Sequence, residues 1–122
     1  MQLYGHPAVL RYLARVEDPK AADIFLRGLD SPYALVVAYS VQGLARLQRA
    51  DTLPRIEKAI LTLRPEERLV PAGELTWFHS YDASVLQRRL LPDVALRERW
   101  VSGVSELRDL EMKARAARSK RN

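Results

Sequence analysis

The stretch DPKAADIFLRGLDSPYALVVAYSVQGLARL, Asp18–Leu47, decides how this chain folds. Two turns, Asp18–Pro19 and Ser31–Pro32, each stand before a run with helical spacing. Proline suits the first turn of a helix because its missing N–H would have no intrahelical partner there anyway. Asp and Ser supply the side-chain acceptor wanted just ahead of it. The first run, over about 19–29, places Ala22, Phe25, Leu26 and Leu29 on one face and Asp23 and Arg27 on the other. The second, over about 32–48, leaves almost no polar face in its first half, with Ala34, Leu35, Val36, Val37, Ala38, Tyr39 and Val41. A helix apolar all round is enclosed by neighbours, so this one belongs at the centre. A buried strand would share the β-branched run, but the pattern continues into Leu44, Ala45 and Leu47 at helical spacing.

Outward from this pair, Pro7 opens a helix over about 7–16 with Val9, Tyr12, Leu13 and Val16 as its apolar face. A fourth helix, over about 52–63, points Leu53, Ile56, Ile60 and Leu63 inward and Arg55 and Lys58 outward. Past Leu63 the pattern loosens. Pro65 with Glu66 and Glu67 starts another helix, acids suiting the positive end of the helix dipole, and Pro71 and Gly73 stop it quickly. Asp82 caps a helix carrying Val85, Leu86 and Leu90, which Pro92 ends. A last helix from about 93 carries Trp100, Val104 and Leu107 on one stripe and frays into a basic tail.

With 122 residues, 48% of them hydrophobic, the chain suits one domain with an ordinary core. It contains no cysteine, which excludes disulfides, thiolate catalysis and cysteine-ligated zinc. Met1–Pro7 shows no basic segment followed by an apolar run, and no stretch approaches a spanning helix. A cytoplasmic protein with no membrane partner is the expectation. The net charge of +5 has one source. Lys113, Arg115, Arg118, Lys120 and Arg121 stand in residues 113–122 without an acid among them, which leaves 15 basic and 15 acidic residues in 1–112.

Two helices joined by a turn of Asp and Pro, with the small-residue ending Leu44–Leu47, resemble a repeat of the HEAT-like family. A shift of 34 residues lays Ala22, Leu26 and Leu29 onto Ile56, Ile60 and Leu63, so a second repeat begins near Thr52. The resemblance covers residues 6–63. It departs from the family at Val36 and Val37, where an arginine often pairs with the turn aspartate. Stacked repeats normally number about three or more, so the C-terminal half must cover the open end of the array as a cap, or another subunit must. The resemblance implies an all-α fold, a short α-solenoid of helical hairpins (repeat-like part 6–63, cap 64–112) within a single domain 1–112, followed by the tail 113–122. It also implies binding rather than catalysis: HEAT-like proteins are mostly scaffolds for other proteins, and some relatives bind nucleic acid.

Candidate sites follow from residue chemistry. Trp77, Phe78 and Tyr81 are candidates for a partner-binding surface, because aromatics bury large area with little rotamer entropy; the alternative is that they plug the end of the stack. His79, with Glu74 and Asp82 near it in sequence, is read as structural, since neither it nor His6 belongs to a metal-binding pair on a helix. Isolated glycines and serines without flanking glycines assemble no phosphate loop and no nucleophile elbow. No cofactor and no metal are expected. Lys113, Arg115, Arg118, Lys120 and Arg121 are the candidate nucleic-acid contacts, although they share no single helical face and carry no interleaved aromatics for stacking. The expectation is a non-catalytic protein–protein interaction module, self-association being possible for so short an array. The alternative is a nucleic-acid-binding protein that uses the tail.

Overall fold

The computed structural model describes residues 6–121, with side chains to Ser119. Seven α-helices follow one another: α1 (Pro7–Val16), α2 (Ala22–Gly28), α3 (Ala34–Arg46), α4 (Leu53–Thr62), α5 (Leu69–Gly73), α6 (Tyr81–Leu90) and α7 (Val94–Arg121). Short 3-10 turns lead into α2, α4 and α5, and a fourth, Glu74–Trp77, follows α5. No strand occurs among the described residues.

The start signals act locally, with three displacements, one of them at Pro65, which opens only a 3-10 turn over Pro65–Glu67, so that α5 begins at Leu69 and contains Pro71. His6 caps α1 by accepting the Ala8 N–H on Nδ1 at 3.1 Å, and Asp18 accepts the Lys20 N–H at 2.9 Å. The helix expected from Pro32 begins two residues later, at Ala34, because Ser31 spends its hydroxyl on the Tyr33 N–H and holds Tyr33 extended. Likewise Ser80, not Asp82, caps α6, accepting from the Ala83 N–H at 3.4 Å.

Helix α3 is the hub, packed against α1, α2, α4, α5 and the 74–77 turn. Val36, Val37, Ala38, Val41, Leu44 and Ala45 are all buried, as an enclosed helix requires. Its contact with α2 is close because Gly43 lies under the Phe25 ring, where a side-chain carbon would collide. Helix α4 buries Leu53, Ile56, Ile60 and Leu63 and exposes Arg55 and Lys58, as its spacing predicts.

Helix α1 corrects its expected face. Leu10 and Ala14 are the fully buried residues, whereas Tyr12 is 65% exposed and Val16 49%. Packing of α1 is one-sided, against α3, so the row through Leu10 and Ala14 is covered, Val9 and Leu13 of the expected face are half-buried, and Tyr12 and Val16 are left open.

Contacts beyond the hub follow an order. Helix α1 packs on α3, α3 on α5, and α5 on α7. On the even-numbered side, Arg55 of α4 donates to the Leu26 carbonyl of α2 at 3.4 Å, and Arg89 of α6 pairs with Glu57 of α4 at 3.0 Å. Helix α7 runs unbroken for 28 residues, roughly 42 Å at 1.5 Å per residue. It passes through 112/113 without a break and does not fray where the tail begins, because Ala114, Ala116 and Ala117 are strong helix formers and no proline intervenes.

Candidate functional site

Helix α7 brings distant parts of the chain onto one line. Near its start Trp100 lies on the bare backbone of Gly73 in α5. One turn further, Val104 is buried among the core residues. The expected stripe is thus only partly used, for Leu107 remains 46% exposed. Beyond it the contacts turn polar. Arg108 stands 5.8 Å from the Trp77 ring centroid, Glu111 pairs with Arg46 at 2.7 Å, and Arg115 reaches Glu17 at 3.5 Å.

Arg46 is the pivot of this line. Its side chain is only 2% exposed, its guanidinium lies 4.4 Å from the Trp77 ring centroid, and it donates to Glu17 at 3.2 and 3.3 Å as well as to Glu111. A buried cation must be paired and hydrogen-bonded, and two carboxylates with one aromatic face satisfy it. Because Glu17 ends α1, Arg46 ends α3 and Glu111 lies on α7, one residue ties three helices together.

Glu74 lies close by. It is 7% exposed, and its Oε2 accepts from Gln42 Nε2 at 3.0 Å and from the Trp77 indole N–H at 2.9 Å. Burial pushes this carboxyl above the usual carboxylate range, against the opposing pull of Gln42, Trp77 and Arg46. Glu74 opens onto a cleft of about 360 Å³ between α7 and the 74–77 turn, walled by Trp77 and Trp100. Gly103 helps to leave that cleft open, since nothing lies within 4 Å of where its side chain would begin.

A larger groove, about 900 Å³, lies between α1 and the second half of α7. Arg115 and Arg118, two of the five tail cations, line it opposite Arg11 and Arg15 of α1. Lys113 is exposed and outside this lining, and the side chains of Lys120 and Arg121 fall outside the described residues. The tail cations share no face on their own helix; α1 supplies the second wall that assembles two of them into a basic surface.

The aromatic trio is divided. Trp77 and Phe78 are 5% and 6% exposed and belong to the core, whereas Tyr81 is 76% exposed. The three therefore form no common surface, and a partner at this place would meet Tyr81 alone. Two hydrogen bonds from Gln48 hold the segment: its Nε2 donates to the Trp77 carbonyl at 3.1 Å and its Oε1 accepts the His79 N–H at 2.8 Å. His79 and Asp82 are exposed while Glu74 is buried, and among the described residues no group of three or more His, Asp or Glu could hold a metal ion. Among the described residues no helix is long and apolar enough to cross a membrane.

Sequence reasoning missed Arg46, Arg11 and Arg15. Arg46 was detectable in principle, as a charge within the most enclosed helix of the chain. Arg11 and Arg15 carried no signal, because i, i+4 arginines on an amphipathic helix ordinarily face solvent. No family model matches the chain, and no curated protein or solved structure matches it either.

Proposed function

We propose that the protein is a non-catalytic protein–protein interaction module built on HEAT-like helix pairs. The observation that carries this reading is the order of contacts: α1, α3, α5 and α7 pack in succession, and one side-chain contact each joins α2 to α4 and α4 to α6. A row of helices meeting in succession is what one side of a stack of hairpins produces, with 6–63 read as the repeat-like part and the later helices as the cap. Surfaces of such arrays bind along rows of helices rather than in deep enclosed pockets, and the exposed apolar residues Tyr12, Val16, Leu107 and Leu110 lie on α1 and α7.

The test is affinity isolation of the tagged full-length chain from its native lysate with and without nuclease, followed by chemical cross-linking. The reading predicts a stoichiometric protein that survives nuclease and cross-links to α1 or α7. Nucleic acid alone, lost on nuclease treatment, would replace it with the second reading, a nucleic-acid-binding protein using Arg115 and Arg118. That alternative draws its support from the arginine-lined groove.

A further inference from the structure

We infer that the groove between α1 and the second half of α7 receives an amphipathic helix of a partner protein, one whose apolar strip is flanked by aspartates or glutamates. This rests on the interaction-module reading and names the chemistry of the partner.

Consider first the floor. Ala8, Tyr12 and Val16 of α1 face Ala114 and Ala117 of α7 across the groove. On α1 these positions recur every four residues, the spacing of a stripe that packs against another helix. The protein's own core does not use that stripe: Tyr12 is 65% exposed and Val16 49%. Alanines on the facing wall let a visiting backbone come close. From Ala8 to Val16 the floor is roughly 12 Å long, about two helical turns.

The rims are basic. Arg11 and Arg15 stand along one side, Arg115 and Arg118 along the other. Among the described residues Arg11, Arg15 and Arg118 pair with no acid; the same holds for Arg27, Arg55, Arg88 and Arg99, but those do not face one another across a groove lining. Glu111 is the one acid lining the groove, and Arg46 holds it at 2.7 Å. Nearby Glu17 is shared between Arg46 at 3.2 Å and Arg115 at 3.5 Å. Cations brought together across a groove repel one another, and a guest bearing carboxylates on both flanks relieves that repulsion while covering the apolar floor.

This combination selects among occupants. Single-stranded nucleic acid would match the rims, but it binds by stacking successive bases on aromatic side chains, and among the described residues the lining holds one aromatic, Tyr12. Groove-to-groove pairing of two copies would set arginine against arginine. An acidic amphipathic helix matches floor and rims together.

The probe is a fluorescein-labelled, end-capped peptide of about 16 residues, long enough to form helix, with Leu and Ala at the inward positions and Glu on both flanks. Its comparator carries Lys for every Glu, and an oligothymidylate of about 20 nucleotides forms the third arm. Anisotropy is read with the full-length chain, with R11E/R118E, and with Ala114→Trp, which plugs the floor from an exposed helical position. Circular dichroism verifies that each variant is folded. The Glu peptide is expected to bind at least about tenfold tighter than the Lys peptide, to weaken about tenfold in each variant, and to weaken further with salt. Equal binding of the two peptides, or no effect of either variant, overturns the inference. So does oligothymidylate binding more tightly than the Glu peptide and losing that binding in R11E/R118E. A native partner whose cross-links fall on Tyr33, Lys58 or Tyr81 would sink the groove and leave the interaction module standing. Absence of any protein partner would sink the module itself.

Discussion

Replacing Arg46 with methionine tests how the last helix is fastened to the domain. The substitution keeps an unbranched stem of similar reach against Trp77 and removes the charge that Glu17 and Glu111 share. Removing one partner from a fully buried ion pair costs about 3–5 kcal/mol, because the remaining charge stays desolvated. Here the acids are only partly covered, with side chains 35% and 21% exposed, so both recover water and the cost falls to roughly 2–3 kcal/mol. Urea unfolding with a slope near 1–2 kcal/mol per molar should then show a midpoint lower by about 1–3 M. Loss should not be uniform. Glu111 lies in the polar half of α7, where the described side chains are mostly exposed, so amide exchange over residues 109–119 should accelerate more than exchange in α3. A stability unchanged within about 0.5 kcal/mol would refute the reasoning, since the triad would then be energetically equivalent to an apolar replacement. Exchange that rises equally everywhere would refute the claim that Arg46 fastens α7 in particular.

Other perturbations give independent checks. Glu74 has its carboxyl raised by burial, so the folded state holds the proton more tightly than the unfolded chain; its contribution is present below about pH 4.3 and is lost as pH rises through the folded-state value. Glu74→Gln keeps an acceptor for Gln42 and Trp77, so stability against urea should match the parent at low pH and exceed it at pH 7; a variant less stable at pH 7 contradicts this. Two glycines in helices should respond with opposite signs. Gly43→Ala drives a methyl group into the Phe25 ring and should cost about 1–3 kcal/mol, whereas Gly103→Ala meets nothing within 4 Å and should gain up to about 1 kcal/mol, raising Tm by about 4 °C. Equal shifts of the same sign would be the contrary result. Gln48 has a left-handed backbone, φ 57°, and two hydrogen bonds to the 77–79 segment, so Gln48→Ala should lose about 1–3 kcal/mol in a thermal melt, and a change under 0.5 kcal/mol would show that those bonds do not hold the segment.

The function proposed for the chain draws on where α7 lies. Its first half supplies Trp100 and Val104 to packing, while its second half leaves Leu110 and Met112 more than 60% exposed and puts two arginines into the groove with α1. A helix packed at one end and tethered at the other by ion pairs presents surface along most of its length. Such a surface is suited to recruiting another protein.

What the sequence determined by itself was everything that depends on neighbours a few residues apart. Proline placed the start of α1, and proline with its preceding acceptor the turn into α2; the apolar pattern identified α3 as the hub and chose the inward residues of α4 correctly. These are local effects: a missing N–H, a capping oxygen, an apolar face repeating every 3.6 residues. Tertiary structure decided which of two adjacent apolar rows on α1 is covered, because Leu10 and Tyr12 are equally acceptable until α3 takes one side. It also buried Trp77 and Phe78 while exposing Tyr81, and it turned Arg46 from an ordinary basic residue into the centre of a three-helix ion pair. The arginine groove shows the same division most clearly. Arg11 and Arg15 are about a hundred residues from Arg115 and Arg118 along the chain, and no local rule relates them. Electrostatic surfaces add contributions from every element that happens to lie near, and that sum exists only after α7 has crossed the domain and come to rest beside α1.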